Sequence, residues 1–215
     1  MSQTKLRQIQ LANDGWTEAG ETWTYYSPTE ITVPSGANSK YQKGDKICLT
    51  QTTLKYFNII GVADTLLTIT GGTDYTLANV TIVNPKYSKL YNPQGFPTTF
   101  SYTATWSGSG SMTISSWGGT NEKFWIVGNV CYFAYYNTGG TTAGTADLAI
   151  TATLPITPAI TAENGCMIRD GTTTNYVPGW MEMSTDGKAY FYKNTYVNWG
   201  IGTGRHAKGQ GCYIY

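Results

Sequence analysis

The chain has 215 residues, a formal net charge of +1 and a charged fraction of 13%, against about 25% in an ordinary globular protein. This length is enough to bury one sizeable hydrophobic core or two small ones. The basic residues form no stripe of the kind that neutralises phosphates, so charge and composition exclude nucleic acid as an expected partner.

Residues 1–15 are predicted to be a leader that serves for attachment. A short helical turn is expected around Thr4 to Leu11, before Asn13-Asp14-Gly15 breaks the pattern. The segment lacks the apolar core of a secretory signal. Apolar stretches elsewhere fall far short of the ~20 residues that span a bilayer, so we expect a soluble protein without a membrane partner.

Residues 16–83 are predicted to form a small β-barrel or β-sandwich domain. Short segments rich in β-branched and aromatic residues, separated by turn sequences, indicate strands. These segments are Trp23–Tyr26, Glu30–Val33, Lys46–Thr50, Lys55–Val62, Leu66–Thr70 and Leu77–Val83.

Residues 84–97 are predicted to be a stiff, proline-rich connector. Pro85, Pro93 and Pro97 interrupt any strand ladder, because proline cannot donate the backbone hydrogen bond that a central strand needs. We therefore expect the domain boundary in this segment.

Residues 98–215 are predicted to form a jelly-roll-like antiparallel β-sandwich. From Phe100 to Trp106, apolar residues alternate with Thr and Ser, as in a strand buried on one face. The same alternation over residues 147–154 predicts another strand, whereas the glycine-rich residues 138–145 predict a loop. The fold class expected for the whole chain is thus all-β.

Two hairpins are predicted within this second domain. Gly128-Asn129 joins segments 124–127 and 130–136, and glycine in the first turn position favours a type II′ turn. Asp186-Gly187 favours the type I′ turn of the second hairpin. Residues 202–206 are expected to form a turn before the last strand, Gly211–Tyr215.

The cysteines give no indication of a metal or redox site. Cys48, Cys131, Cys166 and Cys212 are widely spaced and form no C-x-x-C pair, so we expect reduced, mostly buried thiols. Calcium would need clustered oxygen ligands of the D-x-D-x-D-G kind, and none occurs. We predict no metal and no cofactor.

The sequence also shows no motif of the kind that catalysis would need. His206 is the single histidine, and no G-x-S-x-G sequence accompanies it. The acids of the second half fit turn and surface positions, and nothing singles out the carboxylate pair of a glycosidase. These acids are Glu122, Asp147, Glu163, Asp170, Glu182 and Asp186. We therefore predict that the chain is not an enzyme.

A recognition surface remains, for which aromatic and amide side chains are suited, since a ring stacks on a sugar face while an amide holds its hydroxyls. Two loop-borne clusters carry the candidate ligand-binding residues. The candidates are Asn175, Tyr176 and Trp180 in the first cluster, and Tyr196, Asn198 and Trp199 in the second. The alternative is that Trp180 and Trp199 anchor strands in the core or in an intersubunit seam.

The arrangement resembles the small β-domain that recurs in tail and minor structural proteins of phages and prophages. The segments that carry this resemblance are Trp23-Thr24-Tyr25, residues 41–47, Lys55-Tyr56-Phe57 and residues 68–72. The second half is similar to the β-sandwich heads attached to such domains, in its hairpin at 124–136, its strand end at 152–155 and its closing residues 209–213.

This resemblance implies a phage virion protein, a tail fibre or receptor-binding component, that is located in the virion and released by lysis. Such proteins are often homotrimers, contact other virion proteins and bind a glycan or protein on the host surface through loops of the distal domain. The chain shows neither a collagen-like shaft nor a long heptad leader, so the usual trimerisation devices are missing. A capsid decoration or head fibre protein and a carbohydrate-binding module are the alternatives.

Overall fold

A computed structural model describes residues 14–118, 121–171 and 175–215 of the chain. This part consists of antiparallel strands with one short helix, α1 (Ala37–Lys40), which confirms the prediction of an all-β fold. In these ranges no helix is long and apolar enough to cross a bilayer. The predicted leader lies outside the described residues as far as position 13.

The chain divides into two compact units. The first ends at Phe100 and includes residues 126–129, and the second comprises residues 101–125 and 130–215. The core of the first unit is built from aromatic and aliphatic side chains such as Trp23, Ile31 and Phe57, which are almost completely buried.

The first unit contains a seven-stranded sheet in the order β1-β7-β4-β5-β6-β3-β2. Its strands are β1 (Thr17–Glu18), β2 (Thr24–Ser27), β3 (Glu30–Thr32), β4 (Lys46–Thr50), β5 (Leu54–Ala63), β6 (Leu66–Thr70) and β7 (Val83–Ser88).

Strands β4 and β6 have their predicted bounds, but the predicted strand Leu77–Val83 is wrong. The ladder instead uses β7, which occupies part of the segment that was expected to interrupt it. Pro85 is accommodated because the register between β4 and β7 shifts between Cys48 and Thr50, and prolines are accepted at such irregularities.

The other strands form an eleven-stranded sheet, most of which belongs to the second unit. Nine strands follow the order β8-β11-β12-β18-β15-β16-β17-β14-β9, while β13 pairs with both β10 and β18. The strands are β8 (Phe100–Tyr102), β9 (Trp106–Gly108), β10 (Met112–Gly118), β11 (Glu122–Val127), β12 (Val130–Tyr136), β13 (Thr138–Gly144), β14 (Ala149–Thr153), β15 (Ala162–Arg169), β16 (Val177–Met183), β17 (Lys188–Lys193) and β18 (Gly202–Ile214).

Three local predictions for this unit are wrong. Residues 138–144 form β13 and not a loop, because both neighbouring strands satisfy their backbone groups. Residues 202–206 begin β18 and do not form a turn. In the second hairpin only Gly187 has a positive φ, of 83°, whereas a type I′ turn would require one at Asp186 as well.

Burial alternates along β11, β12, β15, β16 and β17, so every second side chain of these strands faces the core. Phe124, Phe133, Met181 and Phe191 belong to this inward set and are fully buried. The intervening side chains of these strands and of β18 lie on the opposite side of the sheet, which we call the outward face.

Candidate functional site

A row of directly opposed residues crosses the outward face. Gly165 on β15 lies opposite Trp180 on β16, and Trp180 lies opposite Tyr192 on β17. Cys166 on β15 pairs with Gly209 on β18, and these two strands are antiparallel. Gln210 therefore lies opposite Gly165, on the side away from Trp180. Strand register therefore brings an amide, a glycine and two aromatic rings into one line.

The two rings of this row stack on each other. The centroids of Trp180 and Tyr192 are 4.1 Å apart, and their planes differ by 15°. Tyr196 is nearly parallel to both and lies 5.7 Å from Trp180 and 5.8 Å from Tyr192. A ring equally distant from both members lies beside the pair and covers neither outer face. In the register of the sheet, Gly165 lies on the side of Trp180 that is away from Tyr192.

Tyr196 reaches this position through an unusual backbone conformation. Its φ is 54°, in the left-handed region that few residues other than glycine adopt, and its side chain is 59% exposed. Strained conformations of this kind cluster at ligand sites, where the surrounding structure maintains them.

Gly165 leaves an open space in front of Trp180. A Cβ atom built on Gly165 would meet no atom within 4 Å, and its φ lies outside the left-handed region. Gly165 and Gln210 line an open groove of about 370 Å³ together with Trp125, Tyr132 and Asn164. The groove continues into a second depression of about 410 Å³. We call the two together the Gly165 groove.

A second pair of stacked rings forms the far side of the Gly165 groove. Trp125 and Tyr132 have centroids 5.4 Å apart and planes that differ by 7°. The amide of Gln210 lies between these rings and Trp180 along the face, whereas the Asn164 amide turns inward and donates to the buried Met183 Sδ at 3.9 Å. Flat apolar surfaces with an amide between them match the alternating apolar faces and hydroxyl edges of a sugar.

The other end of the Gly165 groove is basic and aromatic. Lys208 lines it, with the ammonium 4.2 Å from the ring centroid of Tyr136 and 4.3 Å from that of Tyr176. Hydrogen bonding to the Tyr176 hydroxyl raises the pKa of Lys208, so this side chain is charged at neutral pH.

His206 lies beside this end, directly opposite Arg169 across β18 and β15. Its Nε2 accepts hydrogen bonds from the Arg169 guanidinium and from the Gly139 N–H at 3.3 Å, so Nδ1–H donates to the Tyr176 hydroxyl at 2.9 Å. Burial lowers the pKa of His206, and the positive charges of Arg169 and Lys208 lower it further. The imidazole is therefore neutral at pH 7.

The structure separates the six residues that the sequence singled out. Trp180 and Tyr196 meet on the outward face, and Tyr176 borders the basic end. Asn175 is exposed, and Asn198 donates to the Ala146 carbonyl at 3.1 Å. Neither asparagine lines the Gly165 groove.

Trp199 must be removed from the candidates. It is fully buried, and its indole N–H donates to the Phe191 carbonyl at 2.9 Å. A side chain in this position anchors the loop to the core and cannot meet a ligand at the surface, as the alternative interpretation held.

Sequence reasoning missed most of the groove. Trp125, Tyr132, Gln210 and Lys208 lie on strands and not in loops. The signal that could have found the first two is the alternation of burial within the predicted hairpin, which puts them on the same side of the sheet. Gly165 lies on β15, which the sequence did not predict.

The acids of this unit lie outside the groove. Asp170 forms ion pairs with Lys193 at 2.6 Å and Arg205 at 2.8 Å, and Glu122 accepts a hydrogen bond from the Trp106 indole at 3.1 Å. Within the described ranges, no group of three or more potential metal ligands occurs. Among the described residues that line the Gly165 groove, none is acidic.

No protein-family model matches the chain, and a comparison with curated proteins found no match. A function must therefore be inferred from the geometry of the outward face.

Proposed function

We propose that the second unit is a non-catalytic carbohydrate-binding domain whose ligand lies in the Gly165 groove. The observation that carries this proposal is the register that places the stacked Trp180 directly opposite Gly165, where an added Cβ would meet no atom within 4 Å. A sugar ring that enters this space stacks on the indole while Gln210 is close enough in the row to receive its hydroxyls.

Binding is favoured over hydrolysis by the chemistry of the groove. Glycosidases use two carboxyl groups on either side of the scissile bond. The described groove residues offer rings, amides, an ammonium group and glycine backbone, which bind sugars but supply neither an acid nor a base of this kind.

We further propose, from the resemblance to phage structural proteins, that recognition serves the attachment of a virion to a host-surface glycan. A tail fibre or receptor-binding component is the first candidate, and trimeric assembly with other virion proteins is part of this proposal. A capsid decoration protein and a carbohydrate-binding module would use the same face. Locating the protein on the particle distinguishes these candidates.

The test fills the groove without disturbing the fold. We expect Gly165→Ala to weaken glycan binding and Gly165→Val to weaken it at least tenfold, because the added carbons occupy the space that borders Trp180. The fold should tolerate both changes, since glycine is unfavourable inside strands and β-propensities span only about 1 kcal/mol. Binding is measured on a glycan array and the midpoint of unfolding by thermal denaturation.

An aromatic substitution pair serves as the control. Trp180→Ala should abolish binding, whereas Tyr26→Ala, which removes a 63% exposed ring from the first unit, should leave it unchanged. Equal binding by the wild type and a folded Gly165→Val variant would overturn the proposal, as would the absence of any bound glycan.

A further inference from the structure

Among the described residues, no ion pair involves the positive groups at the basic end of the Gly165 groove. The described ion pairs join Lys40 to Glu21, Lys86 to Glu18, and both Lys193 and Arg205 to Asp170. None of these ion pairs includes Arg169 or Lys208. Two positive side chains thus meet around one imidazole without a carboxylate.

Both positive groups are held in place by neutral partners. Two tyrosine rings hold the Lys208 ammonium, and Arg169 donates to His206. The Nε of Arg169 is a buried donor that has no hydrogen-bond partner in the described structure. Neighbouring like charges repel each other, so an anion at this end would be favoured.

The basic end is continuous with the ring-lined part of the groove. Gly165, Gln210 and Lys208 line the same depression, and Gly165 and Gln210 also line the part that reaches Tyr132. Tyr132 and Tyr136 are four residues apart on β12, or about 13 Å along the strand. One extended ligand can therefore contact the stacked rings and the ammonium at once.

We propose that the ligand of the Gly165 groove is an acidic oligosaccharide, with a sugar carboxylate bound at Lys208 and Arg169. This inference rests on the proposed carbohydrate-binding function and specifies its ligand class. The ring surfaces bind the apolar faces of the sugars, and the basic end selects those that carry the carboxylate.

The test compares glycans that differ only in the carboxylate. On an array of matched pairs, such as sialyllactose with its methyl ester and oligogalacturonate with its methyl ester, we expect the acidic member of each bound pair to bind at least tenfold more tightly. Lys208→Gln should reduce this preference at least fivefold. Lys89→Gln, an equal charge change at an exposed position of the first unit, should preserve it.

His206 provides a second readout that needs no assignment, because it is the only histidine in the chain. An anion bound beside Arg169 and Lys208 favours the imidazolium, so the NMR-detected pKa of His206 should rise when the acidic glycan selected on the array is added. The neutral glycan of the same pair should leave the pKa of His206 unchanged.

The outcomes separate the two proposals. If acidic and neutral glycans bind equally, or if the Lys208→Gln variant keeps the preference for acidic glycans, the proposal of an acidic ligand is wrong. The proposal of carbohydrate binding is then unaffected. If no glycan binds, carbohydrate binding itself is wrong and the acidic ligand falls with it.

Discussion

Two carboxylates lie directly opposite each other near the stacked rings. Glu163 on β15 and Glu182 on β16 are cross-strand partners, two residues before Gly165 and two after Trp180 respectively. Neither takes part in the ion pairs of the described residues. Like charges directly opposite on a sheet destabilise it, so these strands pair despite their charges and not because of them.

We expect Glu163→Gln to raise the free energy of unfolding by about 0.2–1 kcal/mol, because it removes this repulsion. The gain should shrink in 1 M salt, where charges are screened within about 3 Å. Urea denaturation at low and high salt measures both effects.

Glu18→Gln is the matched control for this prediction. Glu18 is exposed and paired with Lys86 at 2.8 Å, so its substitution should give no gain in stability. A loss of stability in Glu163→Gln would show that the carboxylate has a favourable partner.

The residue scale also shows why sequence reasoning could not rank the candidate tryptophans. Trp180 and Trp199 occur in similar contexts, each near Tyr and Asn. One is half-buried in a stack on the outward face, and the other is fully buried under the loop that follows β17. Only the path of the backbone decides which side of the sheet each indole reaches.

At the scale of elements, β13 shows how a glycine-rich segment can form a strand. A Cβ on Gly140 would lie 1.7 Å from a ring atom of Trp117, so glycine allows this ring to pack against the backbone of β13. Composition favoured a loop because glycine has low intrinsic β-propensity. Tertiary packing overrides that preference here.

We expect Gly140→Ala to lower the free energy of unfolding by about 1–3 kcal/mol, the usual cost of overpacking, because the Trp117 ring must move. Gly165→Ala is the same substitution within a strand, but at an open position, and should cause no loss. Urea denaturation of both variants gives the comparison, and equal stabilities would contradict the packing role of Gly140.

Hairpins were predicted more accurately than the strands that pair across the sheet. Strands β11 and β12 follow from local alternation and a turn sequence, and Gly128 has the positive φ of 57° that this turn requires. Strand β15 lies between β18 and β16, neither of which is linked to it by a tight turn of the predicted kind. Its Gly165 and Asn164 weaken the strand signal, so the groove was not predictable from local sequence.

At the scale of the whole molecule, the four cysteines differ in accessibility. Cys48, Cys131 and Cys166 are buried, and Cys212 is exposed in the Gly165 groove. Burial raises the pKa of Cys48 to about 11 and that of Cys131 and Cys166 to about 12. The thiolate is the reactive form, so both protonation and burial protect these three.

We expect one thiol per native chain to react rapidly with Ellman's reagent at pH 8, and four in denaturant. Cys212→Ser should remove the rapid phase, whereas Cys131→Ser should keep it. A bound glycan should slow the reaction of Cys212, because this residue lines the groove. Two or more rapid thiols in the folded chain would contradict the burial of the others.

The all-β class depends on local sequence patterns, whereas the candidate site depends on how distant strands pair. The class follows from short apolar periods that many of the strands carry locally, and it was predicted correctly. The site depends on register, because Gln210, Gly165 and Trp180 come from three strands that are adjacent only in the folded sheet. No spacing in the chain encodes that adjacency.

If the groove binds the proposed glycan, the open position at Gly165 makes ligand choice and fold stability separable. Glycine at this position makes no side-chain contact with the core. A library of substitutions at position 165 would therefore vary the depth of the groove on an unchanged scaffold. Changes at Lys208 would vary charge preference in the same way, on an adjacent strand. Under the proposed function, single substitutions at either position should therefore alter glycan specificity without a compensating mutation elsewhere.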